Sequence, residues 1–222
     1  MAIAVAAALA GATASPPVAV AVSPARLAFV APASRRLQLH NLGAVAVVVD
    51  VPRARRALLT IRPAHVVLRS GARTTLTLRA KQTAGVGAGD HQLVLLFVAR
   101  PLDTARIGVR MRLGIRLRVR VPGRLVRRLH VRGVRVARAR GRRALLVSIV
   151  NRGNVVEQLG GRVAVTLLRH GRVVSRLRWR AARELPPAAR TVIGLPYRGG
   201  ARGVVTAVVH CGRVSGRYRL RL

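Results

Sequence analysis

Residues 106–121 alternate between apolar and polar side chains without interruption. Ile107, Val109, Met111, Leu113, Ile115, Leu117, Val119 and Val121 make one set. Arg106, Gly108, Arg110, Arg112, Gly114, Arg116, Arg118 and Arg120 make the other. A period of two predicts a β-strand with one apolar and one solvated face, because successive side chains point to opposite sides. A helix would spread the same residues around its circumference. The solvated face of this strand is a row of guanidinium groups.

Shorter runs carry the same signal. They predict strands over residues 18–22 and 26–30, broken at Ser23-Pro24, and over 35–40, 58–62, 66–69, 74–79 and 91–99. Residues 44–51 are almost continuously apolar and predict a central strand closed by Pro52, while 85–89 read as a Gly-rich loop. Short strands separated by Gly, Pro and Asn turns point to an antiparallel β-sandwich over residues 16–121. After Pro122-Gly123 the pattern restarts. Strands are predicted over 129–136, 144–150, 162–169, 172–180, 191–195, 203–211 and 214–222, with a hairpin signal at His170-Gly171 and a break at Leu185-Pro186-Pro187. These make a second sandwich over 124–222. The halves share one detail: Leu37 to Gly43 and Val147 to Gly153 each read as a strand ending in Asn-x-Gly. Asn and Gly tolerate the left-handed backbone that such turns often need.

Composition then narrows the chemistry. The 222 residues are 51% hydrophobic but only 2% aromatic, so the core must be aliphatic. Forty-two basic residues face five acids, for a formal charge of +37. Lys81 is the single lysine, and the acids are Asp50, Asp90, Asp103, Glu157 and Glu184. A chain this cationic needs anions nearby, as counterions or as partners. The few acids are expected to neutralise neighbouring arginines.

Residues 1–14 have the length of a secretory apolar region, with Ala12-Thr13-Ala14 as a cleavage signal, although no Lys or Arg precedes Arg26. They are expected to be a signal peptide, whole or truncated at its start, with an apolar N-terminal strand or helix as the other reading. No other segment has the roughly 18 uninterrupted apolar residues of a membrane helix, so no transmembrane anchor is expected. One Trp, two Tyr and two Phe cannot build the two aromatic girdles of a membrane barrel.

Catalytic signatures do not emerge. The chain has no G-x-S-x-G elbow and no Walker A loop. Its histidines, His40, His65, His91, His130, His170 and His210, show no metal-ligand spacing. Asp90 and His91 are strand neighbours and should point to opposite faces. The lone Cys211 forbids an intrachain disulfide and is expected to pack as a small hydrophobe. Trp179, among Arg176, Arg178 and Arg180, should face inward with Leu177 as a core residue, with a sugar-stacking platform as the other reading. No enzyme, cofactor or metal site is expected.

Several segments carry a family likeness in their order. They are Ser23-Pro24-Ala25-Arg26-Leu27, Asn41-Leu42-Gly43, Gly89-Asp90-His91, the alternating run ending at Pro122-Gly123, Asn151-Arg152-Gly153-Asn154 and Glu184-Leu185-Pro186. The chain resembles the two-domain WxL-interacting proteins of the Gram-positive cell surface. The resemblance implies two tandem immunoglobulin-like β-sandwiches, the first binding peptidoglycan and the second a host or partner protein. Members of that family usually carry a membrane helix after the second domain, and this sequence stops at Leu222. The first domain is also similar to the periplasmic pilus chaperones, which share such a sandwich and offer partners an exposed edge strand.

The expectation is therefore an exported, non-catalytic envelope protein that binds an anionic cell-wall polymer or another surface protein. Arg110, Arg112, Arg116, Arg118 and Arg120 are the candidate polyanion-binding residues. At i, i+2 they stand about 6.6–6.8 Å apart, inside a Debye length of about 8 Å, so a polyanion would feel them jointly. The alternative for this row is an ordinary solvated sheet face. The alternative functions are a pilus-chaperone-like assembly factor and a nucleic-acid binder. The last is disfavoured by the shortage of aromatics for base stacking and by the leader.

Overall fold

The computed structural model describes residues 18–51, 58–81, 85–103, 110–139 and 142–222. The expected signal peptide and residues 106–109 of the alternating run lie outside them. Among the described residues every regular element is a β-strand, and no helix is long and apolar enough to cross a membrane. The chain divides into two compact units: residues up to 83 with 93–117, and residues 84–92 with 118–222.

The strands running from the start through the alternating segment are β1 (Val20–Ser23), β2 (Arg26–Val30), β3 (Ala33–Asn41), β4 (Val47–Asp50), β5 (Leu59–Arg62), β6 (His65–Leu68), β7 (Arg73–Ala80), β8 (Gly89–Pro101) and β9 (Met111–Val121). They form two sheets, ordered β1-β3-β7-β5 and β2-β9-β8-β4-β6. One sheet buries Leu37, Leu39, Leu76 and Leu78, and the other Val47, Val49, Leu95, Phe97, Ile115 and Leu117. Each such side chain contributes about 1.5–3 kcal/mol on burial, so an aliphatic core suffices without many aromatics.

Two expected strands are shorter than the pattern suggested. Instead of spanning 44–51, β4 is confined to Val47–Asp50. The Asn41 side-chain amide takes the Val45 carbonyl at 2.8 Å, and the Leu42 and Gly43 N–H groups bond to the Ala19 carbonyl, so this stretch turns before it pairs. Among the described residues β9 begins at Met111, and Arg110, expected within the strand, is an exposed residue outside it.

The remaining strands are β10 (Leu129–Ala139), β11 (Arg142–Asn151), β12 (Glu157–Gln158), β13 (Val163–Arg169), β14 (Arg172–Trp179), β15 (Glu184–Leu185), β16 (Arg190–Tyr197), β17 (Val204–Cys211) and β18 (Val214–Arg221). Sheets ordered β10-β11-β16 and β14-β13-β17-β18 enclose a core that includes Leu145, Val147, Ile149, Val163, Val165, Ile193, Val209 and Cys211. The expected hairpin turn is present: His170 and Gly171 have φ of 49° and 77°, the paired left-handed backbone of a type I′ turn. Trp179, Leu177 and Tyr218 pack against this core, and the Tyr218 hydroxyl donates to the Val131 carbonyl at 2.9 Å. The small β12–β15 pair had no sequence signal, since two residues carry no period.

Candidate functional site

The candidate arginines lie on β9, whose outer side meets the chain between β1 and β2. The Val20 N–H approaches the Met111 sulfur at 3.4 Å, and the Arg116 N–H donates to the Ala25 carbonyl at 3.0 Å. The two contacts advance together along both segments, so the chain entering β2 runs parallel to β9. The five-residue β2 therefore pairs with β9 from Arg116 onward. Residues 111–115 lie alongside the stretch from Val20 to Pro24, whose β1 part is laddered to β3 in the other sheet, so β2 itself does not reach this part of the edge.

Side-chain burial changes along the same stretch. Ile115, Leu117, Val119 and Val121 are buried, whereas Met111 and Leu113 on the same face are only half-buried. Backbone N–H groups two residues apart on a strand point the same way. Because the Arg116 N–H points to the β2 side, those of Arg112 and Gly114 point to that same outer side. On the solvated face Val94 and Leu96 of β8 stand exposed, at 64% and 53%. A Cβ at Gly114 would lie 3.4 Å from a Leu96 methyl, so the glycine leaves room for that leucine beside the strand.

The five candidate arginines separate into two groups. Arg110, Arg112 and Arg116 are exposed and hold no ion pair among the described residues. Arg118 and Arg120 belong to the second unit and are already engaged. Arg118 Nη1 lies 3.4 Å from Glu184 Oε1. Arg120 donates from Nε to Asp90 Oδ1 at 2.6 Å and from Nη2 to Asp90 Oδ2 at 2.9 Å.

The chain is similar in structure to the class 5 fimbriae chaperone CfaA (13% identity over 92% of this chain and 100% of that one, TM-score 0.52). It is similar to the YadV chaperone (15% identity, 90% and 99%, TM-score 0.50). It is also similar to a chain from a chaperone–tip adhesin complex of CFA/I fimbriae biogenesis (11% identity, 91% and 98%, TM-score 0.50). The fold is a pair of immunoglobulin-like β-sandwiches. No family model matches the chain, and no curated protein does either.

Asp90 is part of a strut inside the second unit. Its side chain is 1% exposed, its Oδ2 also accepts the Val156 N–H at 2.8 Å, and its own N–H donates to the Asn154 carbonyl at 2.7 Å. Asn154 in turn donates to the Ala88 and Arg124 carbonyls, both at 2.8 Å, and accepts the Val126 N–H at 2.7 Å. A Cβ on Gly89 would run into the Asn154 carbonyl, and one on Gly153 into the Val126 carbonyl. The segments Gly89-Asp90-His91 and Asn151 to Asn154 thus meet as a close-packed joint. Burial raises the Asp90 carboxyl, but the Arg120 bonds, the Val156 N–H and the nearby charges of Arg120 and Arg118 outweigh it and hold it below its ordinary value. An ionised carboxylate with its lone pairs filled is a structural anchor and has no proton to exchange with a substrate.

The expected neutralisation of acids is observed more widely. Asp50 meets His65 Nδ1 at 3.0 Å and Arg100 at 3.7 Å, and Glu157 sits between Arg127 and Arg162. Among the described residues no three His, Cys, Asp or Glu side chains come together as metal ligands. The outer edge of β9 at residues 111–115 carries no signal of its own in the sequence. What could have found it is the disparity between the eleven-residue β9 and the short segment after Pro24, once the two were known to pair.

Proposed function

We propose that the protein is an exported assembly chaperone, which holds a subunit of a surface fibre by pairing the outer edge of β9 with a strand of that subunit. The observation that carries this reading is the edge of β9 at residues 111–115, which β2 does not reach and whose neighbour β1 is laddered to β3, with Met111 and Leu113 left half-covered beside it. A partner strand would gain main-chain hydrogen bonds along the edge and would cover those two side chains. Long unpaired edges are otherwise an aggregation hazard, and the flanking arginines discourage pairing with a second copy of this cationic chain. The likeness of the fold to fimbrial chaperones supports the same reading. Capturing a partner this way needs no catalytic group.

A second reading keeps the expectation drawn from the WxL-interacting resemblance, in which Arg110, Arg112 and Arg116 attract an anionic wall polymer. It is favoured by their exposure and lack of ion pairs. Two substitutions at one position separate the readings. Proline removes the outward N–H of residue 112 without touching the ladder to β8, a placement that edge strands tolerate. Alanine removes the charge and keeps the N–H. With tagged protein recovered from the cell envelope of its own host, strand capture predicts that one dedicated protein partner is lost in Arg112→Pro and kept in Arg112→Ala. Equal losses in both variants, together with salt-sensitive binding to purified walls, would reject strand capture in favour of the polymer.

A further inference from the structure

The second unit contains a groove that neither reading uses. It has a volume of about 480 Å³ and is lined by Arg127, Leu129, Glu157, Arg162, Cys211, Gly212, Arg213 and Val214. Its basic residues come from three separate segments. Arg127 lies on the stretch before β10, Arg162 on the turn entering β13, and Arg213 on the tip of the β17–β18 hairpin. The tip is fixed in place: Gly212 has φ of 62°, and its N–H donates to the Arg162 carbonyl at 3.0 Å. Glu157, 4% exposed in its side chain, forms the base. Its Oε1 receives Arg127 Nη1 at 3.4 Å, and its Oε2 receives Arg127 Nη1 at 3.4 Å and Arg162 Nη1 at 3.0 Å.

This arrangement leaves donors unused. Each guanidinium carries five N–H groups. Arg127 and Arg162 use only Nη1 on Glu157, and Arg213 makes no hydrogen bond among the described residues. Three guanidinium charges against one carboxylate leave the groove at +2. Cys211 adds no charge, because burial pushes its thiol up to about 11 and keeps it protonated. With Leu129 and Val214 it gives the groove an apolar side. Planar guanidinium forks match phosphate oxygens in pairs, which a single ammonium cannot do.

We propose that this groove binds a phosphate monoester, with the dianionic group on Arg127, Arg162 and Arg213 and the organic part against Leu129 and Val214. A dianion balances the groove's charge, and the space is larger than a bare phosphate needs. Glu157 is a positioning residue that holds two of the three forks apart. The ester is either soluble or borne on a lipid, and both sources present the same chemistry. The site does not depend on the strand-capture reading, and a failure of either leaves the other standing.

Titration calorimetry of the whole protein tests the proposal in two arms, with glycerol 3-phosphate in solution and with phosphatidylcholine vesicles containing phosphatidic acid. Arg213→Gln is the main variant, since the Arg213 side chain makes no hydrogen bond or ion pair among the described residues. Arg219→Gln removes the same charge from an exposed position of β18 outside the groove. In whichever arm binds, Arg213→Gln is expected to weaken binding about tenfold and Arg219→Gln less than twofold, with acetate binding far more weakly than the phosphate ester. Binding in the first arm identifies a soluble ester, and binding in the second alone a lipid. Equal losses in the two variants would show only diffuse attraction to a cationic surface and would overturn the site. So would acetate binding as tightly as the ester, or no binding in either arm.

Discussion

Two buried asparagines occupy equivalent corners of the two units, and what surrounds them differs. Asn41 ends β3 and donates from Nδ2 to the carbonyls of Val45, Leu68 and Arg69 at 2.8, 3.1 and 3.0 Å, while its Oδ1 accepts the Gly43 N–H at 3.0 Å. Asn151 ends β11 and donates to Val155 and Leu185 at 2.7 and 3.0 Å, while its Oδ1 accepts the Gly153 N–H at 2.9 Å. An amide is both donor and acceptor, so each corner closes on backbone groups alone. A carboxylate only accepts, and its burial requires a cation. Among the described residues Asn41 is the one buried polar side chain of the first unit, whereas the second buries Asp90, Asn151, Glu157 and Thr191. The same turn chemistry therefore sits in a neutral interior in one unit and a charged interior in the other.

The sharpest way to break this comparison is to delete the charge. Asp90→Ala leaves Arg120 without its partner and the Val156 N–H unsatisfied, and is expected to destabilise the second unit by about 3 kcal/mol. The lone Trp179 lies in that unit, so its emission during urea unfolding reads the loss directly. A change below about 1 kcal/mol would mean that the strut is dispensable.

The asparagines come next. Asn41→Ala takes a donor from the Val45 and Leu68 carbonyls, while the Arg69 carbonyl keeps the Ala72 N–H and the Gly43 N–H keeps the Ala19 carbonyl. Asn151→Ala takes a donor from the Val155 and Leu185 carbonyls and the acceptor from the Gly153 N–H, and each is expected to cost roughly 2 kcal/mol. The informative result is where each loss is seen. Asn151→Ala should shift the Trp179 transition, and Asn41→Ala should shift the circular dichroism of the β-sheet signal with little change in Trp179 emission. Equal shifts of Trp179 in both variants would show that the units unfold as one.

Much of this was legible in the sequence, for reasons that individual residues make plain. The alternation of Ile115, Leu117, Val119 and Val121 with Arg116, Arg118 and Arg120 fixes β9, because a one-residue slip would turn every side chain to the wrong face. His170-Gly171 was readable because a two-residue turn between strands demands left-handed backbone, and the repeated Asn-x-Gly for a similar reason. The limits of β4 were not readable, since they depend on Asn41 reaching the Val45 carbonyl across a turn. The partners of Arg118 and Arg120 were equally hidden: Glu184 and Asp90 lie 66 and 30 positions away in the chain. A row of identical arginines looks uniform in sequence, and only tertiary contacts divide it into paired and free members.

The smallest expected effect concerns acid, and it follows from the sign of the Asp90 shift. Its folded carboxyl is held below the ordinary value of 3.8. A depressed acid contributes stability that is fully present above the unfolded value and is lost as pH falls through the folded one. The stability difference between wild type and Asp90→Asn, read by Trp179 emission in urea, should therefore be constant from pH 7 to about pH 5 and shrink below about pH 4. The amide cannot titrate, so Asp90→Asn removes this contribution to the acid slope. Arg120 does not confuse the reading, because its own value is raised and it stays charged throughout. A difference that held constant to pH 2 would mean that Asp90 does not take up its proton in that range, and a difference already shrinking at pH 6 would mean that burial, and not Arg120, governs the carboxyl.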